Sequence, residues 1–170
     1  MPTATLTATP PWMPLARAKL GIRETPGPAN SPTIMGWSRR LGVKVLGILY
    51  ADDSATPWCG LFVAEVMSEA GFVAPKVAVR ARAWAFWGEP VTPCEGAVLV
   101  FERPGGGHVG FYAGESATAY QVLGGNQGDA VSLTWIAKGR CIASRWPTGV
   151  RPLGARKPVL AGGPLSHNEA

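Results

Sequence analysis

Thr56-Pro57-Trp58-Cys59-Gly60-Leu61-Phe62-Val63 reads as the start of a helix. Threonine is a good N-cap, and proline suits the first helical position because the N–H it lacks has no partner there. This reading puts the Cys59 thiol in the first turn, where free N–H groups and the helix dipole favour negative charge. The thiolate is the reactive form of cysteine, and such a location lowers its pKa. Downstream, Phe62, Val63, Val66 and Ala70 form an apolar stripe with Cys59 at its head, and Gly71 supplies a stop. Glu65 and Glu69 are read as the water-facing side. The helix then packs its cysteine side against the sheet formed later in the chain.

The second half of the chain is β-rich. From Gly96 the period shortens, and five runs stand out: Ala97 to Glu102, His108 to Ala113, Ala119 to Leu123, Val131 to Ile136 and Cys141 to Trp146. Their short connections suit an antiparallel meander with successive strands adjacent. A weaker helix covers about Val79 to Trp87. Upstream, Pro14 to Leu20 forms a short helix stopped by Gly21. Ser31 caps a second helix with Pro32 at its first position and Ile34, Trp37 and Leu41 on its apolar face, Arg39 and Arg40 outside. Val43 to Tyr50 fits helix or extended chain equally. The expected fold is α+β, with the nucleophile helix on an antiparallel sheet of about five strands. Residues 1–11 are read as a flexible lead and 12–147 as one domain. Residues 148–170, rich in Pro, Gly and Arg without periodicity, are read as a disordered or loosely held tail.

The 170 residues hold one domain with a proper core. Net charge is +5 and the pI is near 9.5, which draws the protein to anionic surfaces. No run of Lys or Arg is interleaved with aromatics, so nucleic acid is not an expected partner. Three cysteines cannot all pair internally. With Cys59 free, Cys94 and Cys141 either bridge or remain thiols, and the absence of an export signal in Met1 to Pro10 favours thiols. No CxxC or HxxxH spacing is present, so neither metal nor cofactor is expected. No apolar run is long enough to span a membrane.

A thiol nucleophile needs a base and a polar group to hold that base in the right tautomer. His108, in Gly105-Gly106-Gly107-His108-Val109-Gly110-Phe111-Tyr112, opens a strand and supplies the base. The third group should come from the neighbouring strand, which ends in Leu123-Gly124-Gly125-Asn126-Gln127-Gly128. Asn126 is the expected orienting residue and Gln127 the alternate. The Cys59 N–H is the natural first oxyanion donor, and a second is not apparent. Asp52 and Asp53 are read as bordering the cleft, Trp58 as walling it, and Gly60 as leaving room for a substrate backbone. Trp84 and Trp87 are further candidates for its walls. Taken singly, each feature is more often structural than catalytic. Their order along the chain is what points to chemistry.

These segments resemble the NlpC/P60 and CHAP superfamily, and within it a small bacterial and phage branch of cysteine peptidases that cleave peptidoglycan. Thr-Pro-Trp-Cys-Gly-Leu-Phe-Val (56–63), Gly-His-Val-Gly-Phe-Tyr-Ala-Gly (107–114) and Leu-Gly-Gly-Asn-Gln-Gly-Asp-Ala-Val-Ser (123–132) carry the resemblance, which extends over about Trp12 to Pro147. It implies a papain-like fold and metal-free cleavage of amide bonds in cell-wall peptides. It also implies Cys59 as nucleophile, His108 as base and a third polar residue near Asn126. Where many relatives carry Pro-Gly-Asp before the first core strand, this chain has Pro93-Cys94-Glu95-Gly96-Ala97.

The expected function is thus a cysteine peptidase or amidase, an endolysin-like hydrolase acting on bacterial peptidoglycan through a thioester. Its rivals are an acyltransferase of the same fold and a non-catalytic wall-binding or virion module. Synthesis in the cytosol without a signal peptide leaves delivery open between a phage lysin, an exported toxin and a virion component. An immunity protein or a phage delivery partner is the corresponding expected partner.

Overall fold

A computed structural model describes residues 9–152 and 156–169. Most of the expected flexible lead, residues 1–8, lies outside the described residues. Three helices come first: α1 (Trp12–Arg17), α2 (Pro32–Leu46) and α3 (Cys59–Glu69). A 3₁₀ turn at Ala81–Phe86 stands where the weaker helix was expected. Six strands come after it: β1 (Glu89–Pro90), β2 (Val98–Arg103), β3 (Gly106–Glu115), β4 (Ala119–Gly124), β5 (Ser132–Ala137) and β6 (Cys141–Trp146). The result is an α+β fold with N-terminal helices packed on an open, antiparallel, six-stranded sheet.

The sheet order is β1-β6-β2-β3-β4-β5. The meander holds from β2 to β5, but β6 returns across the sheet to pair with β2 instead of β5. The reason lies in β2. Val98, Leu99, Val100 and Phe101 are all fully buried, so this strand needs neighbours on both edges and cover on both faces. β6 supplies the missing edge, and the two-residue β1 pairs with β6 in turn.

α3 packs on β3 and β4, with the Phe62 and Phe111 rings edge to face at 6.0 Å. Its start differs from expectation by two residues. Trp58 is the N-cap, with φ −122° and ψ 17°, and it makes no side-chain cap bond, so Cys59 is the first helical residue. Thr56 and Pro57 precede the helix. The stop is as expected: Gly71 has φ 88°, Phe72 N–H donates to Met67 O and Gly71 N–H to Ser68 O, which is the Schellman pattern. Glu65 does not face water. It is buried and paired with Arg40 from α2, so that pair spans the α2–α3 contact.

Gly60 illustrates how tightly this helix start is seated. A Cβ there would lie 2.3 Å from Ala78 O and 2.5 Å from Val79 O. The room it leaves is taken by the chain's own backbone, not by a substrate. Backbone carbonyls cannot swing aside, so Gly60→Ala should cost about 3 kcal/mol, the upper range for overpacking. Thermal unfolding should then fall by roughly 6–12 °C for a domain this size. An unchanged midpoint would contradict the close approach.

Ser31 caps α2 as expected, its hydroxyl accepting from the Ile34 N–H at 3.4 Å. Gly42, with φ 74° and ψ 172°, kinks α2, and the helix then takes in Val43 to Leu46 of the ambiguous run before Gly47 ends it. All three cysteines are free thiols. The tail carries two isolated bridges, Glu115 with Val159 and Trp135 with Leu165, and is otherwise without regular structure among the described residues. It is nonetheless held. β5 is an edge strand with unpaired backbone groups, and the Ser166 N–H donates to Trp135 O at 2.8 Å. Glu115 exchanges two backbone bonds with Pro158 and Leu160. Glu169 is buried against Arg140, and Arg156 reaches the buried Glu95 at 2.8 Å. No helix among the described residues is long and apolar enough to cross a membrane.

Candidate functional site

Cys59 and His108 come together through the packing of α3 on β3. Both are buried, His108 completely. The Val109 N–H, one residue beyond His108 on the strand, is directed at the Cys59 sulfur, as are the N–H groups of Cys59 and Gly60 at the helix start. Helix N-terminus and strand therefore converge on one sulfur atom.

The imidazole is held by Gln127, whose Oε1 lies 2.9 Å from His108 Nε2. The direction of this bond is set by the amide's other half. Gln127 Nε2 donates to Ser132 O at 2.7 Å and to Val122 O at 3.2 Å. Two carbonyl acceptors fix which end of the amide carries hydrogens, so Oε1 must accept and His108 Nε2 must carry the proton. Nδ1 is left with its lone pair. It is buried and, among the described residues, makes no hydrogen bond, to the sulfur included. A buried unpartnered acceptor on the residue next to Val109, whose N–H reaches the sulfur, suits a general base, and such bonds commonly tighten only with substrate bound.

The residue bonded to the imidazole is Gln127, the alternate of the two expected. Asn126 sits at φ 56°, a left-handed conformation that asparagine tolerates better than most residues, and it turns the chain so that Gln127 faces the ring. The preceding glycines make room. A Cβ at Gly124 would lie 2.5 Å from Gln127 Oε1 and 3.2 Å from His108 Nε2. One at Gly125 would lie 2.7 Å from Phe62 Cβ. The Gly-Gly pair was the signal that this corner meets the histidine.

Burial sets the protonation of the resting site. It pushes the Cys59 thiol up, outweighing the three N–H groups and Arg103, which favour thiolate. The depressed thiol expected from the helix position is therefore not the resting state. Burial also drives His108 down to about 4, against the opposing pull of Gln127 and Glu169. The resting pair is neutral thiol and neutral imidazole. Stability therefore depends on pH. An unfolded histidine titrates near 6.5. Between there and about 4 the unfolded chain binds a proton that the folded one refuses. The contribution is complete above pH 6.5 and is lost as pH falls towards 4, by about 3 kcal/mol in all. Urea unfolding of wild type and His108→Gln across this window should differ in slope by nearly 1.4 kcal/mol per pH unit. Parallel curves would show that His108 titrates normally.

Cys59 reaches the floor of a cleft of about 390 Å³, bounded by Thr56-Pro57, by Val79 to Arg82 and by the hairpin Arg103 to Gly107. Asp53, Trp58, Gly60 and Gln127, expected near the cleft, are not among its lining residues. Asp53 is buried and accepts from the Ser31 N–H at 2.7 Å, so it braces the α2 N-terminus. Trp58 is core, with its Nε1 donating to Glu24 at 2.8 Å. Trp84 is fully buried and Trp87 nearly so, and both indoles donate to backbone carbonyls. The sequence reading missed the arginines at 80, 82 and 103. Their nearness to Cys59 depends on a loop and a hairpin tip meeting across the helix start.

No protein-family model matches the chain, and no curated protein matches it.

Proposed function

We propose that this protein is a cysteine-dependent hydrolase of amide bonds in bacterial cell-wall peptides, with a papain-like fold of the NlpC/P60 and CHAP kind. The observation that carries the reading is the Gln127–His108 pair. Gln127 fixes the imidazole tautomer and leaves the buried Nδ1 lone pair unpartnered, one residue from the Val109 N–H that reaches the thiol at a helix N-terminus. A structural histidine has no need of an empty acceptor.

The chemistry runs through these two side chains. Substrate entry brings the Cys59 S–H onto His108 Nδ1, which takes the proton as sulfur attacks the carbonyl carbon. The helix-start N–H groups of Cys59 and Gly60 offer hydrogen bonds to negative charge that develops there. His108, now imidazolium with its Nε2–H still on Gln127, returns the proton to the leaving amine. Water then cleaves the thioester, giving the acid and regenerating the thiol. The neutral resting pair suits these steps, because charge forms only when a carbonyl is in place to use it.

The test is release of soluble fragments from purified peptidoglycan by wild type and Cys59→Ala, with products identified by mass. Hydrolysis adds water at a new terminus, and acyl transfer adds the acceptor instead. Binding to walls without release by either protein would replace the hydrolase with a binding module.

A further inference from the structure

The tail carries a buried carboxylate into the fold. Ser166, His167, Asn168 and Glu169 offer no aliphatic side chain to bury, yet Glu169 is only 3% exposed. A carboxylate is almost never so buried unless it is paired. Its partners are the Arg140 guanidinium and the Ser166 hydroxyl, which donates to Oε2 at 2.7 Å. Burial pushes Glu169 up, but the Ser166 hydroxyl and Arg140 outweigh it and hold the carboxyl below the usual range, so it is ionised at neutral pH. The same residues are tied to the corner that carries Gln127. The Gly128 N–H donates to Asn168 O at 2.8 Å and the Ser166 N–H to Trp135 O of β5 at 2.8 Å. Arg140 in turn gives its Nε–H to Glu102 O of β2 at 2.9 Å. That corner needs holding. Asn126, Gly128 and Asp129 have φ of 56°, 62° and 60°. Left-handed residues other than glycine persist where the surrounding structure over-determines them, and the tail is part of that surrounding.

The charges that act on His108 are those of Arg103 at the end of β2, Arg140 in the turn before β6, and Glu169. From the other elements packed on β3, α3 brings Cys59, and the 3₁₀ turn brings Arg82, whose stem lies over Gly107. Glu65 and Glu69 of α3 are taken by Arg40 and Lys19, and the exposed Glu102 of β2 lies 3.9 Å from Arg82. Glu169 is thus the one acid whose charge reaches the imidazole, among the described residues. Gln127 holds the Nε2–H but is neutral. The imidazolium that forms during amide cleavage is a buried cation with two arginines acting on it, and a buried charge is costly without a counter-charge.

We propose that Glu169 is a positioning residue of the site: with Ser166 and Asn168 it clamps the corner that carries Gln127, and its carboxylate is the counter-charge for the His108 imidazolium. This rests on the amide-hydrolase reading and adds a tail residue to Cys59, His108 and Gln127. Glu169 acts through the corner and across space, not on the substrate.

Glu169→Gln keeps the shape and removes the charge. Fragment release from purified peptidoglycan at saturating substrate should slow by about tenfold, the factor that accompanies one pH unit on the imidazole, with little change in KM. NMR of the imidazole in the full chain reads the charge directly. His108 protonates near 4 in wild type and should do so lower in Glu169→Gln. A merely structural loss would admit water and carry it the other way, towards the ordinary value near 6.5. Glu169→Asp keeps the charge but not the shape, and it should release fragments faster than Glu169→Gln. Arg156→Gln breaks the tail's ion pair with Glu95 and should leave both readouts at wild-type values. His108 moving up in Glu169→Gln, an unchanged release rate, a Gln variant faster than the Asp variant, or equal damage from Arg156→Gln would each overturn the role of Glu169 and leave the hydrolase standing. No release by wild type, with His108 still lower in Glu169→Gln, would instead remove the hydrolase and keep the counter-charge.

Discussion

Cys59→Ala should reduce amide cleavage by roughly four orders of magnitude or more, which is the scale on which removal of a nucleophile acts. The fold should remain. The side chain is small, and loss of one buried sulfur costs about 1 kcal/mol in a core that otherwise keeps its contacts. Cys59→Ser sharpens the point. It keeps the shape and still offers a proton to His108 Nδ1, but its hydroxyl is a far poorer nucleophile, so it too should be inactive. Cys94→Ala and Cys141→Ala serve as controls. Both thiols are free, neither lines the cleft, and burial pushes both up. Burial pushes Cys59 up as well, so these controls read activity and not labelling: both variants should keep wild-type activity, and a thiol reagent should still inactivate them. If Cys59→Ala kept a tenth of the activity, the nucleophile would have to be sought elsewhere.

The parts of this site that were legible in the sequence are those fixed by local chemistry. A cysteine at the head of an apolar stripe and a histidine in a glycine-rich strand start declare their elements within a few residues, and the helix stop at Gly71 forms as its glycine predicts. The features that were not legible depend on contacts distant in sequence. Thr56 and Pro57 look like a cap, yet Tyr50 Oη donates to Thr56 O at 3.0 Å, holding that residue in the preceding loop. Glu65 occupies a solvent position on a lone helix and is buried because Arg40 of α2 meets it. The place of β6 beside β2 was written in the unbroken apolar run of Ala97 to Phe101, which marks a central strand. Strand number alone hid it. Trp12, Trp58, Trp84 and Trp87 are core because each buries a large ring and gives its single N–H to an internal acceptor.

The choice between Asn126 and Gln127 shows the same limit, and it yields the second large effect. Either side chain has a carbonyl oxygen able to hold an imidazole N–H, and only the corner's geometry decides between them. With Gln127 as the orienting residue, Gln127→Ala should lower kcat by about 10²- to 10³-fold, within the range that general-base catalysis supplies, with a much smaller change in KM. It also strands the Val122 and Ser132 carbonyls that the amide satisfies, so some loss of stability is expected. A second variant separates orientation from packing. Gln127→Glu places a negative charge on His108 Nε2–H and favours imidazolium, so the acid limb of the pH–rate profile should move up from about 4. A merely structural residue would not move it. Asn126→Gly keeps the left-handed corner, since glycine adopts φ 56° without strain, and should lower kcat much less than Gln127→Ala does. Were Asn126→Gly as damaging as Gln127→Ala, and the acid limb of Gln127→Glu unmoved, the tautomer assignment would fail and the base role of His108 with it.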